Sequence, residues 1–217
     1  MNNTPESGTM SVNIKDTMDL KKYLYNHEYT TDLSCGSLLI AEPLMRGDIF
    51  SRSVVMILDV DKKQGHLGLV LNKKLSVSLN ELIPDMGIER EIPVFSGGPV
   101  DQSRLFMLHT LGDLFKGSSE LIPGIYVGGS IEDVYGYLMD GGELDGKIRF
   151  FLGYSGWTYG QLRGEIDRHI WAVREDPQPD ISRLLQGRGN NYWRREVGLL
   201  EGDYRSWLNV PRDPILN

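Results

Sequence analysis

Ser155 lies in the segment that most resembles a catalytic motif. The pentapeptide Gly153-Tyr154-Ser155-Gly156-Trp157 is similar to the G-x-S-x-G nucleophile elbow, because an apolar, strand-like run precedes it and a helical pattern follows. In that elbow a strained turn exposes the serine hydroxyl, and the last position must be small for the turn to form. Trp157 occupies that position, so the sequence favours a tight turn packed by aromatic side chains over a serine nucleophile.

A second glycine-rich segment, Ser96-Gly97-Gly98-Pro99, allows two interpretations. Successive backbone N–H groups could surround an anion. The same residues also make an ordinary tight connection between two strands, and this is the favoured interpretation.

Both segments place small residues beside bulky or polar ones, which would leave backbone N–H groups accessible next to aromatic walls. We therefore predict that they lie close together and rim one concave site for a ligand or partner. Its predicted members are Ser96, Gly97, Gly98, Pro99, Tyr154, Ser155, Gly156 and Trp157. The alternative is that Trp157 fills the core and that the glycines only relieve crowding.

Histidine and cysteine give little evidence for chemistry. The four histidines are scattered, and none belongs to an H-E-x-x-H or C-x-x-C motif. His109 ends an apolar run and is predicted to be a hydrogen-bonded core or rim residue. The single cysteine, Cys35, excludes an intrachain disulfide and is predicted to be a buried, unreactive thiol. The sequence thus predicts no metal and no cofactor and assigns no catalytic residue.

Composition and charge restrict the classes of partner. The chain has 217 residues, 40% of them hydrophobic, and a formal net charge of −7, as expected for an ordinary globular protein. Arg163 to Arg205 contains eight arginines and eight acidic residues, which indicates an ion-paired surface and not a basic footprint. Direct binding to nucleic acid or to a membrane is therefore not expected. No signal peptide and no apolar run of about 20 residues is found, so the expected location is the cytoplasm.

The elements that would position these residues follow from the hydrophobic pattern. Ile148–Leu152 predicts a strand covered on both faces, followed by a helix that Thr158 and Gln161 could cap. Apolar runs at 53–60 and 66–72 predict a core hairpin. Further strands are predicted at 38–40, 92–95, 105–109, 125–127 and 171–173, and further helices at 16–25, 78–84, 131–138, 180–186 and 191–200.

Strands cluster before residue 130 and helices dominate afterwards, which indicates an α+β fold with a largely antiparallel, partly open, barrel-like sheet flanked by helices. Residues 1–32 are predicted to be a partly disordered N-terminal extension. Residues 33–217 are predicted to form a single domain with a helical C-terminal part from about 180, and Asp176-Pro177-Gln178-Pro179 is the predicted linker.

Several blocks in a fixed order resemble the YqgE/AlgH family of small bacterial cytoplasmic proteins. They are GSLLIAEPLMRGDIFSRSVVMIL, GHLGLVLN, SGGPV, RFFLGYSGWTYGQLRGEI and PRDPILN. The resemblance covers residues from about Leu33 to the C-terminus. It implies an α+β fold with a partly open β-barrel, and neither an established activity nor an established cofactor. Some members are labelled transcriptional regulators, which describes an effect and not a DNA contact.

The sequence therefore predicts a non-enzymatic binding or regulatory protein that recognises a protein or small molecule through the two glycine-rich segments. A hydrolase or transferase that uses Ser155 with His109 and an aspartate is the alternative. A direct DNA-binding regulator is disfavoured by the negative charge.

Overall fold

The computed structural model of the chain describes residues 33–61, 65–175 and 180–212. These residues form one curved sheet of ten strands in the order β10-β1-β2-β3-β9-β6-β8-β7, with β4 and β5 branching off at β9. The strands are β1 (Leu38–Ala41), β2 (Val54–Asp61), β3 (Gly65–Val70), β4 (Lys74–Ser78), β5 (Pro93–Ser96), β6 (Val100–His109), β7 (Ser119–Ile122), β8 (Ile125–Val127), β9 (Ile148–Thr158) and β10 (Trp171–Arg174). Every pairing is antiparallel except that of β5 with β9.

Five α-helices flank the sheet in the described ranges. They are α1 (Leu79–Leu82), α2 (Ile131–Met139), α3 (Gln161–Asp167), α4 (Ile181–Leu184) and α5 (Gly189–Gly198), with 3-10 helices at Pro84–Met86, Gly112–Leu114 and Gly202–Asn209. The predicted α+β class with a largely antiparallel, partly open sheet is confirmed.

Strand β9 connects the two halves of the sheet. Its first half pairs with β5 and β6, and its second half, from Ser155 to Thr158, pairs with β3. Neighbouring side chains of β9 enter different cores: Phe150 packs in a cluster beside α2, whereas Phe151 packs in the cluster that the C-terminal helices cover. The prediction of a strand buried on both faces is therefore confirmed.

The predicted turn at Gly153–Trp157 is wrong, because these residues continue β9 as far as Thr158. Gly153 adopts a φ of +68°, and the register against β6 shifts between the pairs Val100–Tyr154 and Leu105–Leu152. The irregularity that glycine permits here is a bulge in the sheet and not a change of direction. The chain turns only after Thr158, and α3 begins at Gln161, behind Gly160 at the N-cap.

Other predicted elements are in place. The hairpin is formed by β2 and β3, and Ser78 with Glu81 makes the predicted capping box at the start of α1. Ser130 caps α2 through the backbone N–H of Asp133. The helices predicted at 180–186 and 191–200 correspond to α4 and α5, while β4, β7 and the 3-10 helix at Gly202–Asn209 were not predicted.

Two buried polar side chains fasten the C-terminal helices to the sheet. The amide nitrogen of Asn72 donates to the carbonyl of Gly189, and its oxygen accepts from the backbone N–H of Val54. The indole of Trp193 donates to the carbonyl of Ala41 at 2.8 Å. The helix predicted at 16–25 and the linker predicted at 176–179 lie outside the described residues.

Candidate functional site

The two glycine-rich segments contact each other, as predicted. The Oγ of Ser155 donates to the carbonyl oxygen of Gly97 at 3.1 Å, and the same oxygen accepts from the backbone N–H of Val70 at 2.9 Å. The N–H of Gly97 donates to the carbonyl of Leu152 at 2.8 Å. Gly97 thus spans the gap between β3 and β5 along one edge of β9.

This close approach explains why glycine is needed at both positions. A Cβ added to Gly97 would lie 2.2 Å from the carbonyl oxygen of Gly153. A Cβ added to Gly98 would lie 2.2 Å from the carbonyl carbon of Tyr154, and Gly98 also has a φ of +156°. Since the obstructing atoms belong to backbone, they cannot move aside as a flexible side chain would.

Most of the eight predicted site residues are buried by this packing. Ser155 has no exposed surface, Trp157 is 6% exposed and Ser96 is 8% exposed. The indole of Trp157 donates to Glu165 at 2.9 Å, inside the cluster beneath α3. Both Gly97 and Gly98 are buried as well, whereas Pro99 and Gly156 are exposed and Tyr154 is half-buried. These contacts agree with the alternative in which Trp157 fills the core, and ligand binding at the eight residues stays a prediction.

Ser155 and His109 do not form a catalytic pair. His109 pairs with Ile148 at the start of β9, and Ser155 is seven residues further along the same strand. Seven residues of extended chain span roughly 20 Å. Each side chain has its own partners, so nothing in this geometry supports the hydrolase or transferase alternative.

His109 is fully buried and hydrogen-bonded, as predicted. Its Nε2 lies 3.0 Å from the hydroxyl of Ser118, whose own proton goes to the carbonyl of Phe115, and 3.1 Å from the carbonyl of Gly128. Its Nδ1 accepts from the backbone N–H of Leu111. These partners assign a neutral ring protonated at Nε2. Burial lowers the pKa of His109 below its ordinary value, although the contact with Gly128 opposes the shift.

A pocket of about 310 Å³ lies between the start of β9 and the connection from α4 to α5. Its walls combine apolar side chains with three cationic and two anionic residues. They are Lys74, Glu91, Ile92, Pro93, Phe95, Leu144, Asp145, Ile148, Arg149, Phe150, Leu185 and Arg188. None of the eight predicted site residues is among them, and we call this site the Arg149 pocket.

Arg149 is the buried cation of this pocket, with only 3% of its surface exposed. Its Nη1 donates at 2.8 Å to the carbonyls of Leu71 and Gly187, and its Nη2 donates to the carbonyl of Leu185. The guanidinium carbon lies 4.1 Å from the ring centre of Phe95. Burial lowers the pKa of Arg149 to about 10, so the side chain still carries its charge at neutral pH.

Two exposed ion pairs lie at the opening of the pocket. Lys74 and Glu91 are 2.9 Å apart, and Arg188 and Asp145 are 3.3 Å apart. More than 40% of each of these side chains is exposed. Ion pairs in this setting are weak because water screens them.

Several arginines of the C-terminal part have a carboxylate partner. Arg183 pairs with Asp180, Arg195 pairs with Glu196, and Arg194 donates to the carbonyl of Leu208. Arg188 pairs with Asp145, whereas Arg194 forms no ion pair with a carboxylate of the described residues. The pKa of Arg52 is lowered by burial and by the charge of Arg194. Three of the four arginines therefore have a carboxylate partner, and the absence of direct nucleic-acid binding stays a prediction.

The prediction that Cys35 is buried is wrong. Its side chain is exposed, and its Sγ donates to the carbonyl of Leu58. Cys35 precedes β1 in a turn, where the apolar packing that normally buries a thiol has not yet begun.

Among the described residues no group of three or more His, Cys, Asp or Glu could hold a metal ion. No helix within the described ranges is long and apolar enough to cross a membrane.

The Arg149 pocket was not predicted from the sequence, although one residue in a predicted strand indicates it. Arg149 stands inside the run Ile148-Arg149-Phe150-Phe151, which was correctly predicted to be buried on both faces. A charged residue in such a run must be paired, hydrogen-bonded or placed beside a cavity, because burying an isolated charge is costly. Its partners come from residues 71, 185 and 187, which the sequence alone does not bring together.

Proteins similar to this chain occur in several bacteria. A UPF0301 protein of Parabacteroides distasonis is 41% identical over 183 residues, which cover 84% of this chain and 90% of the relative. A UPF0301 protein of Chlorobium luteolum is 37% identical over 186 residues, covering 85% and 95%.

Two solved structures are similar in fold. A crystal structure of a protein from Corynebacterium diphtheriae matches with a TM-score of 0.65 at 20% identity, covering 83% of this chain and 94% of that one. The solution structure of the AlgH protein from Pseudomonas aeruginosa matches with a TM-score of 0.53 at 26% identity, covering 70% and 82%. The AlgH-like family matches residues 38–205, which include all ten strands. The chain therefore belongs to the AlgH-like family.

Proposed function

We propose that this protein is a non-enzymatic binding protein of the cytoplasm, and that it holds a small ligand in the Arg149 pocket. The observation that carries the proposal is the pocket itself, about 310 Å³ in volume and lined by seven apolar and five charged residues. This volume lies at the lower end of the range for small-molecule sites, which combine apolar walls with polar groups that orient the ligand.

The arrangement of the chemically active side chains supports a binding role over catalysis. A nucleophile needs a base within hydrogen-bond reach, and Ser155 lies seven residues along β9 from Ile148, the residue that pairs with His109 of β6. Arg149, the buried charged group of the pocket, is a donor at neutral pH and not a proton acceptor. It can therefore orient a ligand without transferring a proton.

A screen of small fragments by ligand-observed NMR tests the proposal on the full chain. Leu144→Trp narrows the pocket, because Leu144 is a half-buried lining residue. Leu199→Trp is the matched control, since Leu199 is 55% exposed and does not line the pocket. We expect some fragments to bind the wild type and Leu199→Trp but to lose binding to Leu144→Trp. Equal binding to all three proteins, or none to any, would contradict the proposal.

A second candidate surface is the exposed side of the two glycine-rich segments, where a protein partner could dock. It is favoured by the exposure of Pro99, Val100 and Gly156 around the half-buried ring of Tyr154. Tyrosine at such a position offers an apolar face and a polar edge.

Affinity capture from the native cytoplasm with two charge-introducing variants tests this surface. Val100→Glu places a charge on it, and Ile131→Glu places the same charge on α2, where Ile131 is 56% exposed. A partner lost by Val100→Glu and kept by Ile131→Glu would support docking at this surface. Equal retention by both variants would count against it.

A further inference from the structure

We infer that the Arg149 pocket selects a small organic anion, in which a carboxylate or phosphate group is attached to a compact apolar group. The inference rests on the proposed function, because it names the ligand class of the same pocket. It follows from the way the charge of Arg149 is balanced and from the residues that surround it.

The charge of Arg149 is hydrogen-bonded but not neutralised. Its three acceptors are the carbonyls of Leu71, Leu185 and Gly187, and no carboxylate of the described residues forms an ion pair with it. Carbonyl oxygens satisfy N–H donors without carrying a full negative charge. A buried cation without a carboxylate in contact is costly even though Asp145 attracts it from a greater distance, and an anion in the adjoining pocket would reduce that cost.

The guanidinium is also held in a fixed orientation with donors to spare. A guanidinium has five N–H donors, and the described residues accept three hydrogen bonds from Arg149, so two donors remain. These three hydrogen bonds and the contact with the ring of Phe95 hold the guanidinium in place. A planar group that is already immobilised loses little entropy when it binds a carboxylate or phosphate.

The opening of the pocket adds two more cations. Lys74 and Arg188 each have one carboxylate partner, and both pairs are exposed. An anionic ligand can compete for these cations, because exposed ion pairs contribute little free energy. With Arg149 included, three cationic residues face two anionic ones, so the pocket has a net charge of +1 in a chain whose formal charge is −7.

The remaining walls define the rest of the ligand. Pro93 and Leu144 are the half-buried apolar residues of the lining, and an inorganic ion would leave their exposed surface in contact with water. Burying an apolar group of the ligand against it is favourable in proportion to the area removed from water. A phosphate or carboxylate on a ring-sized body therefore suits the pocket better than free phosphate does.

NMR and calorimetry test the inference by titration of the full chain with four compounds. These are phenyl phosphate, benzoate, inorganic phosphate and benzyl alcohol. We expect the two organic anions to bind with shifts at the lining residues, and inorganic phosphate and neutral benzyl alcohol to bind more weakly. Arg188→Gln is expected to weaken binding of phenyl phosphate about tenfold through the loss of a charged donor. Arg163→Gln is the matched control, since Arg163 forms an exposed ion pair with Asp167 on α3 and does not line the pocket.

The outcomes separate this inference from the proposed function. Binding of benzyl alcohol as tight as that of phenyl phosphate, with no effect of Arg188→Gln, would overturn the inference that the ligand is an anion. The proposal that the pocket binds a small ligand would then still stand. No shift at lining residues with any of the four probes at millimolar concentration would overturn the inference, and failure of the fragment screen as well would overturn the proposed function. Because Arg188 is an exposed residue, Arg188→Gln is expected to fold, which the NMR spectrum checks directly.

Discussion

The hydroxyl of Ser155, in the second half of β9, donates to the carbonyl oxygen of Gly97 at 3.1 Å. Ser155 is fully buried, and its bond closes the gap between β3 and β5. Ser155→Ala should lower the free energy of unfolding by about 0.5–1.5 kcal/mol, because Gly97 keeps its bond from the N–H of Val70. Urea unfolding measures the change, with Ser103→Ala as the exposed control. An unchanged stability would mean that this bond contributes nothing.

Gly98→Ala should be one of the most destabilising single-methyl changes in the chain, costing more than about 3 kcal/mol. The added Cβ would lie 2.2 Å from the backbone of Tyr154, at a φ that side chains rarely adopt. Gly136→Ala adds the same methyl group in the middle of α2, where nothing lies within 4 Å. It should raise stability by about 0.5–1 kcal/mol through helix propensity. Similar thermal denaturation midpoints for the two variants would refute the packing argument.

Leu69→Ala, in β3, should cost about 2–5 kcal/mol, the usual range for a large-to-small change in a packed core. Leu69 has no exposed surface and belongs to the cluster that the C-terminal helices cover. Leu199→Ala is the control, because Leu199 is 55% exposed and should change stability by less than about 0.5 kcal/mol. A loss below about 1 kcal/mol for Leu69→Ala in urea unfolding would show that the hairpin is not central to the core.

Acid should destabilise the protein partly through His109. Its pKa is lowered in the folded state by burial, so the unfolded chain binds a proton more readily than the folded one. The stabilisation is therefore complete above the ordinary histidine pKa of about 6.5 and is lost as the pH falls through the lowered value. His66 and His169 have lowered pKa values as well, so the contribution of His109 must be isolated by a variant.

The measurement compares urea unfolding of the wild type and His109→Gln between pH 8 and pH 5. The stability of the wild type should fall more steeply with acid, since glutamine cannot be protonated. Parallel curves for the two proteins would show that His109 does not contribute.

Direct binding to duplex DNA should be absent or weak. The net charge is −7, and Arg183, Arg188 and Arg195 are paired with carboxylates, so few phosphates can be neutralised. Fluorescence anisotropy near physiological salt measures the binding. Sequence-selective binding tighter than about 0.1 μM, as specific DNA-binding proteins show, would contradict this prediction.

Local patterns in the sequence determined most of the elements. The apolar runs of β2, β3 and β9 and the capping residues Ser78 and Ser130 predict structure from interactions within a few positions. These signals are local, so they hold in any compact fold of this chain. The fold class follows from their order along the chain.

The glycines show what local sequence patterns cannot predict. The glycine-rich segments predict tight connections, and a Cβ added to Gly97, Gly98 or Gly153 would indeed meet backbone atoms. Whether the freedom of a glycine serves a turn or a bulge depends on the neighbouring strand, and only the pairing of β9 with β6 makes Gly153 a bulge. The burial of Ser155 and Trp157 follows from this continuous strand, and it could not be read from the glycine spacing.

The Arg149 pocket was decided by the tertiary structure alone. The sequence places the charged residue Arg149 in a buried strand. The carbonyls that accept its hydrogen bonds, however, lie just after β3 and in the connection between α4 and α5. Those segments meet because Asn72 and Trp193 fasten the C-terminal helices to the sheet. The energy of a buried charge depends on partners from distant parts of the chain, and only folding brings those partners within hydrogen-bond distance.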